Sequence, residues 1–289
     1  MGQHDVPYEI EIIFHKMSGS GNDFVFPDGP SAGWTPARVR MWCDRRDGVG
    51  ADGLVLLTPG SEFGDVGMTF FNCDGSSAPM CGNAALCATR LAIMRRLAPP
   101  ERVRLRFAAG TVIGRCPGSA DAAEIDLEPF QPPAAVSGLT LKAGERAMAL
   151  VRVGVPHLVV LVDDAFAVDV PIRGRELRRH PRLDPEGANV QFVAPPNGGE
   201  EWLLRTYERG VEGETFACAT GCVAAAAFLA ANGPFRSLFR MTSGKRIEVA
   251  GEQADGWIRG VRVRGEGRVV YRGVWSEANP GERERHECR

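Results

Sequence analysis

The sequence predicts an α/β protein made of two similar halves facing one another, and three observations carry that prediction. Short β-type apolar runs recur along the whole chain. Only two segments read as helices, both Ala-rich and both following a cysteine in a tight turn. The order of features in the first half is repeated in the second.

The strands come first. Runs at 10–15, 54–58, 68–71, 103–107, 150–153, 158–162, 190–193, 202–207, 247–249 and 269–274 are rich in Val, Ile, Leu and Phe. Gly, Pro, Asn and Asp bound them, as strand-ending turns require. A helix is predicted over 84–97. It closes with Arg95-Arg96, which suit the negative end of the helix dipole, and Pro99-Pro100 stop it. A second is predicted over 223–232, ending in Asn232-Gly233-Pro234, a left-handed cap plus a breaker. Between the halves, Pro132-Pro133 opens a loosely patterned stretch to about Gly144, the best linker. The tail after Gly281 is almost all Glu, Arg and His and is expected to fray.

The repeat is specific. Gly50-Ala51 lies 31 residues before Cys81, and Gly187-Ala188 lies 31 before Cys218. Each Gly-Ala leads into an apolar strand, then an aromatic strand (Phe70-Phe71-Asn72 or Thr206-Tyr207-Glu208), then a Gly-containing turn. A cysteine, small residues and an Ala-rich helix follow in both halves. Two related domains, each donating one cysteine to a shared cleft, account for this order.

Composition narrows the class. With 44 % hydrophobic and 24 % charged residues over 289 positions, the chain can bury a core without staples. A net charge of −2 advertises neither nucleic acid nor an anionic membrane. The apolar run 223–231 is too short to span a bilayer, and Met1 to Asp5 lacks the layout of a signal peptide. Eight cysteines (Cys43, Cys73, Cys81, Cys87, Cys116, Cys218, Cys222 and Cys288) are too sparse for a disulfide scaffold. A cytoplasmic globular protein with functional thiols is expected.

Met80-Cys81-Gly82-Asn83 and Ala217-Cys218-Ala219-Thr220 each place a thiol where a turn enters a helix. There the first backbone N–H groups lack partners and the dipole is positive, which favours thiolate and binds carboxylate. Two such turns face to face suit inversion at a carbon beside a carboxylate. One thiolate removes the proton while the opposite thiol delivers another to the far face, and the helix ends hold the developing charge. No cofactor is required. Two plainer readings stand beside this one. Either cysteine alone could be a small buried hydrophobe. Cys218 and Cys222 have ligand spacing for zinc, although helical period alone gives the same spacing.

The weaker constellations are single residues. Ser18 to Phe24 is Gly-rich after a strand, but it lacks the Lys-Ser/Thr of a phosphate loop and the third glycine of a dinucleotide fingerprint. A polar side chain held on a tight turn, Asn22, is its more economical use. His157 lies between two strand runs and could be a satisfied core histidine. Arg209, nine residues before Cys218, could clamp a carboxylate through both nitrogens.

Taken together these residues resemble the diaminopimelate epimerase family, from about Phe14 to Tyr271. The resemblance rests on His15-Lys16-Met17 through Asp23-Phe24, Asp44-Arg45 through Asp52-Gly53, and Asn72-Cys73-Asp74-Gly75-Ser76. It continues through Met80-Cys81-Gly82-Asn83, Pro156-His157, Asn189, Tyr207-Glu208-Arg209-Gly210, Glu214-Thr215 and Ala217-Cys218. It implies two α/β halves, 10–134 and 135–266, each a β-barrel-like sheet around a central helix. The strand at 267–276 would return to the first half, leaving 281–289 as a frayed tail.

The resemblance also implies roles. Cys81 and Cys218 match the catalytic thiols, and His157 and Glu208 match a pair that assists proton movement. Asn22, Asn72, Asn189 and Arg209, with Glu208, match groups on the substrate's distal amino acid end. The N–H groups of Gly82, Asn83, Ala219 and Thr220 match the cradle of the reacting carboxylate. Tyr271 matches a homodimer contact. The implied reaction is epimerisation of LL- to meso-diaminopimelate, for lysine and peptidoglycan precursors, with no cofactor and no metal.

The chain departs from the family at several points. Val155 stands where Asn is usual before Pro-His, Ala84 and Ala219 stand where Gly is common, and Leu86 where Arg is frequent. Cys73 and Cys222 replace Ala. Two alternatives follow: a racemase of the same mechanism for another amino acid such as histidine, or a non-catalytic or zinc-stabilised binding protein of the same fold.

Overall fold

A computed structural model describes residues 9–278 apart from 79, 109, 119, 120 and 197, so the expected tail at 281–289 lies outside the described residues. The first half contains β1 (Glu9–Gly19), β2 (Asn22–Pro27), α1 (Pro36–Cys43), β3 (Gly53–Pro59), β4 (Asp65–Asn72) and β5 (Ser77–Ala78). It continues with α2 (Gly82–Met94), β6 (Val103–Phe107), β7 (Gly110–Arg115) and β8 (Ala122–Leu127). After β9 (Ala134–Ala135) the second half runs β10 (Glu145–Val153), β11 (Val155–Val162), α3 (Val170–Arg178), β12 (Asn189–Ala194), β13 (Glu201–Glu208) and β14 (Gly213–Thr215). Then come α4 (Ala219–Leu229), β15 (Gly233–Met241), β16 (Arg246–Ala254), β17 (Trp257–Glu266) and β18 (Arg268–Ala278).

Strand pairing repeats step for step. In the first half β1–β2 is antiparallel, β2–β3 parallel, β3–β4 and β4–β5 antiparallel, β4–β6 parallel, and β6–β7 and β7–β8 antiparallel. The second half gives the same series for β10–β11, β11–β12, β12–β13, β13–β14, β13–β15, β15–β16 and β16–β17. The halves join where β8 pairs antiparallel with β17. The chain then returns, and β18 runs antiparallel to β1 along its length.

Each half is three layers. α2 touches β1, β3, β4, β6, β7, β8, β17 and β18, so the sheet must curl around it; α4 is held likewise by β10, β11, β12, β15, β16 and β17. A helix enclosed on every side has to be apolar all round. Every residue from Gly82 to Thr89 is buried, and so are Cys222 to Ala227 of α4. Alanines keep both helices thin, and the sheet approaches closely: a Cβ on Gly19 would lie 2.6 Å from the Asn83 carbonyl oxygen. Both helices share one large core, while smaller clusters lie under α1 (Phe14, Trp42, Leu54) and α3 (Leu158, Leu177, Phe192) on the outer faces.

Element boundaries moved in a consistent way. α4 begins at Ala219 rather than 223 and ends at Leu229, and Gly233-Pro234 opens β15 instead of closing the helix. α2 spans Gly82–Met94 rather than 84–97, ending where Arg96 takes a left-handed φ of 57°. In both, the N-cap is the cysteine itself. The outer helices α1 and α3 escaped a reading by apolar period because arginines interrupt it. Their caps were visible: Thr35 before Pro36, and Asp169 before Val170-Pro171, each accepting a backbone N–H.

Candidate active site

Cys81 and Cys218 cap helices that start against each other. Both caps are extended, with φ of −140° and −146°, so each chain turns sharply into its helix. The first turns abut: a Cβ on Gly82 would lie 2.9 Å from the Ala219 methyl. Two helix N-termini therefore converge on a cavity of about 250 Å³, and both thiols line it. Gly82, Asn83, Ala219 and Thr220 line it too, which places the first amides of both helices around a site for an anion.

The other sequence-identified residues divide into those the fold brings to this cavity and those it does not. Asn22, Asn72, Asn189, Glu208 and Arg209 all reach it. Asn72 is braced by a 2.9 Å bond to the Ser76 hydroxyl, and Asn189 accepts the Arg209 backbone N–H at 2.7 Å. Val155 gives the cavity wall an apolar side chain, and Cys73 adds a third thiol to it. His157 lies fully buried and outside the cavity wall. Tyr271, near the start of β18, is not among the residues lining the cavity; it is 44 % exposed and edge-on to Phe14 at 5.8 Å. Among the described residues, no three His, Cys, Asp or Glu side chains converge to hold a metal ion.

A polar chain runs from the surface to the helix caps. Asp23 and Asp52 are bridged by Arg45, at 2.7 Å to each carboxylate, and Lys16 pairs with Asp23 at 2.7 Å. Asp52 accepts from the Asn22 amide at 3.0 Å, and Asn22 accepts from Asn83 at 2.7 Å. The Asn83 amide also donates to the Ala217 carbonyl at 3.2 Å. Burial opposes ionisation of Asp23, yet hydrogen bonds from Arg45 and Lys16 outweigh it and hold the carboxyl down at about 2.

Electrostatics inside the cavity favour neutral groups. Burial pushes both thiols up to about 12. Burial also pushes the Glu208 carboxyl up to about 7, so it changes charge near neutral pH. His157 is driven down to about 3, by burial first and by the Arg209 charge second, and is a neutral imidazole.

Gln191, on β12, was not identified from the sequence. It is fully buried and hydrogen-bonds His157 Nδ1 at 3.2 Å and the Cys218 sulfur at 3.9 Å. The available signal was an amide inside the apolar run Val190-Gln191-Phe192-Val193, since a buried polar group needs a partner.

Comparison with known proteins follows the same geometry. A family model described as diaminopimelate epimerase matches residues 14–119 and 149–263. A diaminopimelate epimerase from Gemmatimonas aurantiaca is 41 % identical over 275 residues, covering 91 % of this chain and 98 % of that protein. One from Chlorobaculum tepidum is 35 % identical, covering 89 % of this chain and 99 % of its own length. Among solved structures, a phenazine biosynthesis protein of the PhzF family from Bacillus anthracis superposes with a TM-score of 0.70 at 13 % identity, covering 93 % of this chain and 99 % of that chain. A hydroxyproline epimerase from Agrobacterium vitis superposes with a TM-score of 0.64 at 18 % identity, covering 95 % of both chains. These structures share the fold.

Proposed function

The chain belongs to the diaminopimelate epimerase family, and from that premise we propose that it interconverts LL- and meso-diaminopimelate by moving one α-proton between two thiols. The observation that carries the reading is the convergence of two cysteine-capped helix N-termini on one cavity. The reacting carboxylate lies between the amides of Gly82 and Asn83 on one side and those of Ala219 and Thr220 on the other. The α-carbon then sits between the two sulfurs.

One thiolate takes the α-proton, and its charge passes into a carboxylate held by two helix dipoles. The opposite thiol gives its proton to the far face, so one proton enters, one leaves, and the thiolate has changed sides. Glu208, poised near 7 and close enough to raise both thiols, is the group that exchanges the proton needed to set the starting thiolate. Asn22, Asn72, Asn189 and Arg209 hold the distal amino acid end, with Val155 supplying an apolar contact there. His157 acts from behind the wall, through Gln191.

Domain units 10–134 and 135–266 each supply one thiol to this scheme. A homodimer is supported by the exposed apolar side chains of the β1–β18 pair, Ile13 and Val274 on one face and Tyr271 on the other. The protein works in the cytoplasm on this reading, in keeping with reduced thiols; among the described residues no helix is long and apolar enough to cross a membrane.

The test is proton NMR in D₂O with reduced protein and LL-diaminopimelate. Loss of the α-proton signal with growth of the meso isomer is expected. Exchange with histidine or another amino acid instead would keep the chemistry and replace the substrate. No exchange with any amino acid would reject the enzyme.

A further inference from the structure

The two thiols occupy matching caps, yet their surroundings differ on the side away from the cavity. The Cys218 sulfur accepts the Gly221 backbone N–H at 3.3 Å and the Gln191 amide at 3.9 Å, and meets the Thr220 hydroxyl at 3.6 Å. Neither Gln191 nor Gly221 lines the cavity, so these two donors reach the sulfur from behind and leave its open side to the substrate. Cys81 makes no side-chain cap bond; its thiolate is favoured by the backbone N–H groups of Ala84 and Asn83.

Gln191 is held so that its amide can face nothing else. It is fully buried on β12, its Oε1 accepts the Thr206 hydroxyl at 2.6 Å, and its Nε2 lies 3.2 Å from His157 Nδ1. Because Nε2 can only donate, His157 Nδ1 must accept, which puts the imidazole proton on Nε2. The backbone of α4 clamps the amide from the other side. A Cβ on Gly221 would lie 2.5 Å from both Cδ and Oε1 of Gln191, so only glycine at that helix position leaves room for it.

We propose that Gln191 is a positioning residue that makes the two thiols unequal: its fixed amide N–H stabilises the thiolate of Cys218, and Cys218 rather than Cys81 rests as the base. A hydrogen bond donated to a charged acceptor is worth more than one to the neutral thiol, so the bond favours ionisation. The charged and titratable groups around Cys218 act in addition to it. Glu208 from β13 opposes ionisation, Cys222 one turn along α4 and Cys81 across the cavity couple to it, and neutral His157 adds no charge. This assignment rests on the two-thiol reading of the site. It gives a direction to a mechanism that is otherwise symmetric: the free enzyme is set to deprotonate the stereoisomer whose α-hydrogen faces Cys218, and must first be reset for the other.

The test is the pH dependence of alkylation by iodoacetamide at each cysteine, resolved by peptide mass spectrometry on the full-length protein without substrate. Reading thiols rather than turnover separates failure of this assignment from failure of the substrate proposal. In the native protein Cys218 is expected to titrate below Cys81. Gln191→Leu removes the donor and Gln191→Met removes it while keeping the side-chain length, neither adding a charge; both are expected to raise the Cys218 titration by about one pH unit, a ten-fold loss of thiolate, with Cys81 unmoved. With substrate, kcat should fall about ten-fold in both while KM holds. If Gln191→Leu does not fold, Gln191→Met carries the test. Cys81 titrating below Cys218 in the native protein, or a Cys218 titration unchanged in Gln191→Met, would overturn the proposal.

Discussion

Asn83 donates its side-chain amide to the carbonyl of Ala217 at 3.2 Å, joining the first turn of one catalytic helix to the residue before the other catalytic cysteine. The same amide donates to Asn22 at 2.7 Å, so one side chain fixes the loop after β1, the start of α2 and the approach to α4. Asn83 is 3 % exposed, and its bonds are not replaced by water when it is lost.

Asn83→Leu keeps the volume and removes both bonds, leaving the Asn22 and Ala217 oxygens buried without donors. A loss of about 2–4 kcal/mol in stability is expected, read by urea denaturation. Turnover should fall further than stability alone explains, because the two caps would no longer share a register.

Glu208 gives a pH signature. Its carboxyl is raised by burial to about 7, so folding favours its protonated form. That contribution is complete below the unfolded value near 4.5 and is lost as pH rises through about 7. Glu208→Gln is therefore expected to stabilise the protein at pH 8 by about 3 kcal/mol, measured by thermal or urea unfolding. Epimerisation should drop at least about a hundred-fold, as expected for loss of a general base. A variant no more stable at pH 8 than at pH 5, relative to the parent, would refute the raised carboxyl.

The thiols can be tested by closing the cleft. With Gly82 and Ala219 in contact distance, a mild oxidant such as diamide should remove one hydrogen from each of Cys81 and Cys218 and join them. Turnover should stop and return with dithiothreitol. Cys81→Ala and Cys218→Ala should each lose epimerisation by at least about a thousand-fold, and neither should show the reversible inactivation.

Asp23 sets an acid limb of the opposite sign to Glu208. Hydrogen bonds from Arg45 and Lys16 hold its carboxyl at about 2 against burial, so it stabilises the fold above its unfolded value of 3.8 and stops doing so as pH falls through about 2. Asp23→Asn should lose about 2 kcal/mol at pH 6 and show a flatter decline below pH 4, measured by urea midpoints across pH 2–6.

Local signals make much of this protein legible in its sequence. Cysteine, small residue and Ala-rich helix, repeated at the same distance after Gly-Ala, predicted two similar halves and both thiol caps, because capping and turn chemistry depend on adjacent residues. The polar motifs flanking them carried the family resemblance, and that resemblance named Asn22, Asn72, Asn189, Glu208 and Arg209, all of which line the cavity. What adjacency does not encode was decided by tertiary packing. β2 and β7 are strands because they complete a sheet curled around α2 and α4, not because their own alternation is strong, whereas β8 and β17 do alternate, in Ala123-Glu124-Ile125-Asp126-Leu127 and Val261-Arg262-Val263-Arg264. His157 and Gln191 lie 34 residues apart, and only the parallel pairing of β11 with β12 sets Gln191 beside both His157 and Cys218. The types of the reactive groups and the turns that present them were written in the sequence. Their distances, their burial and hence their proton affinities came from the fold, because desolvation depends on everything packed around a group, near or far along the chain.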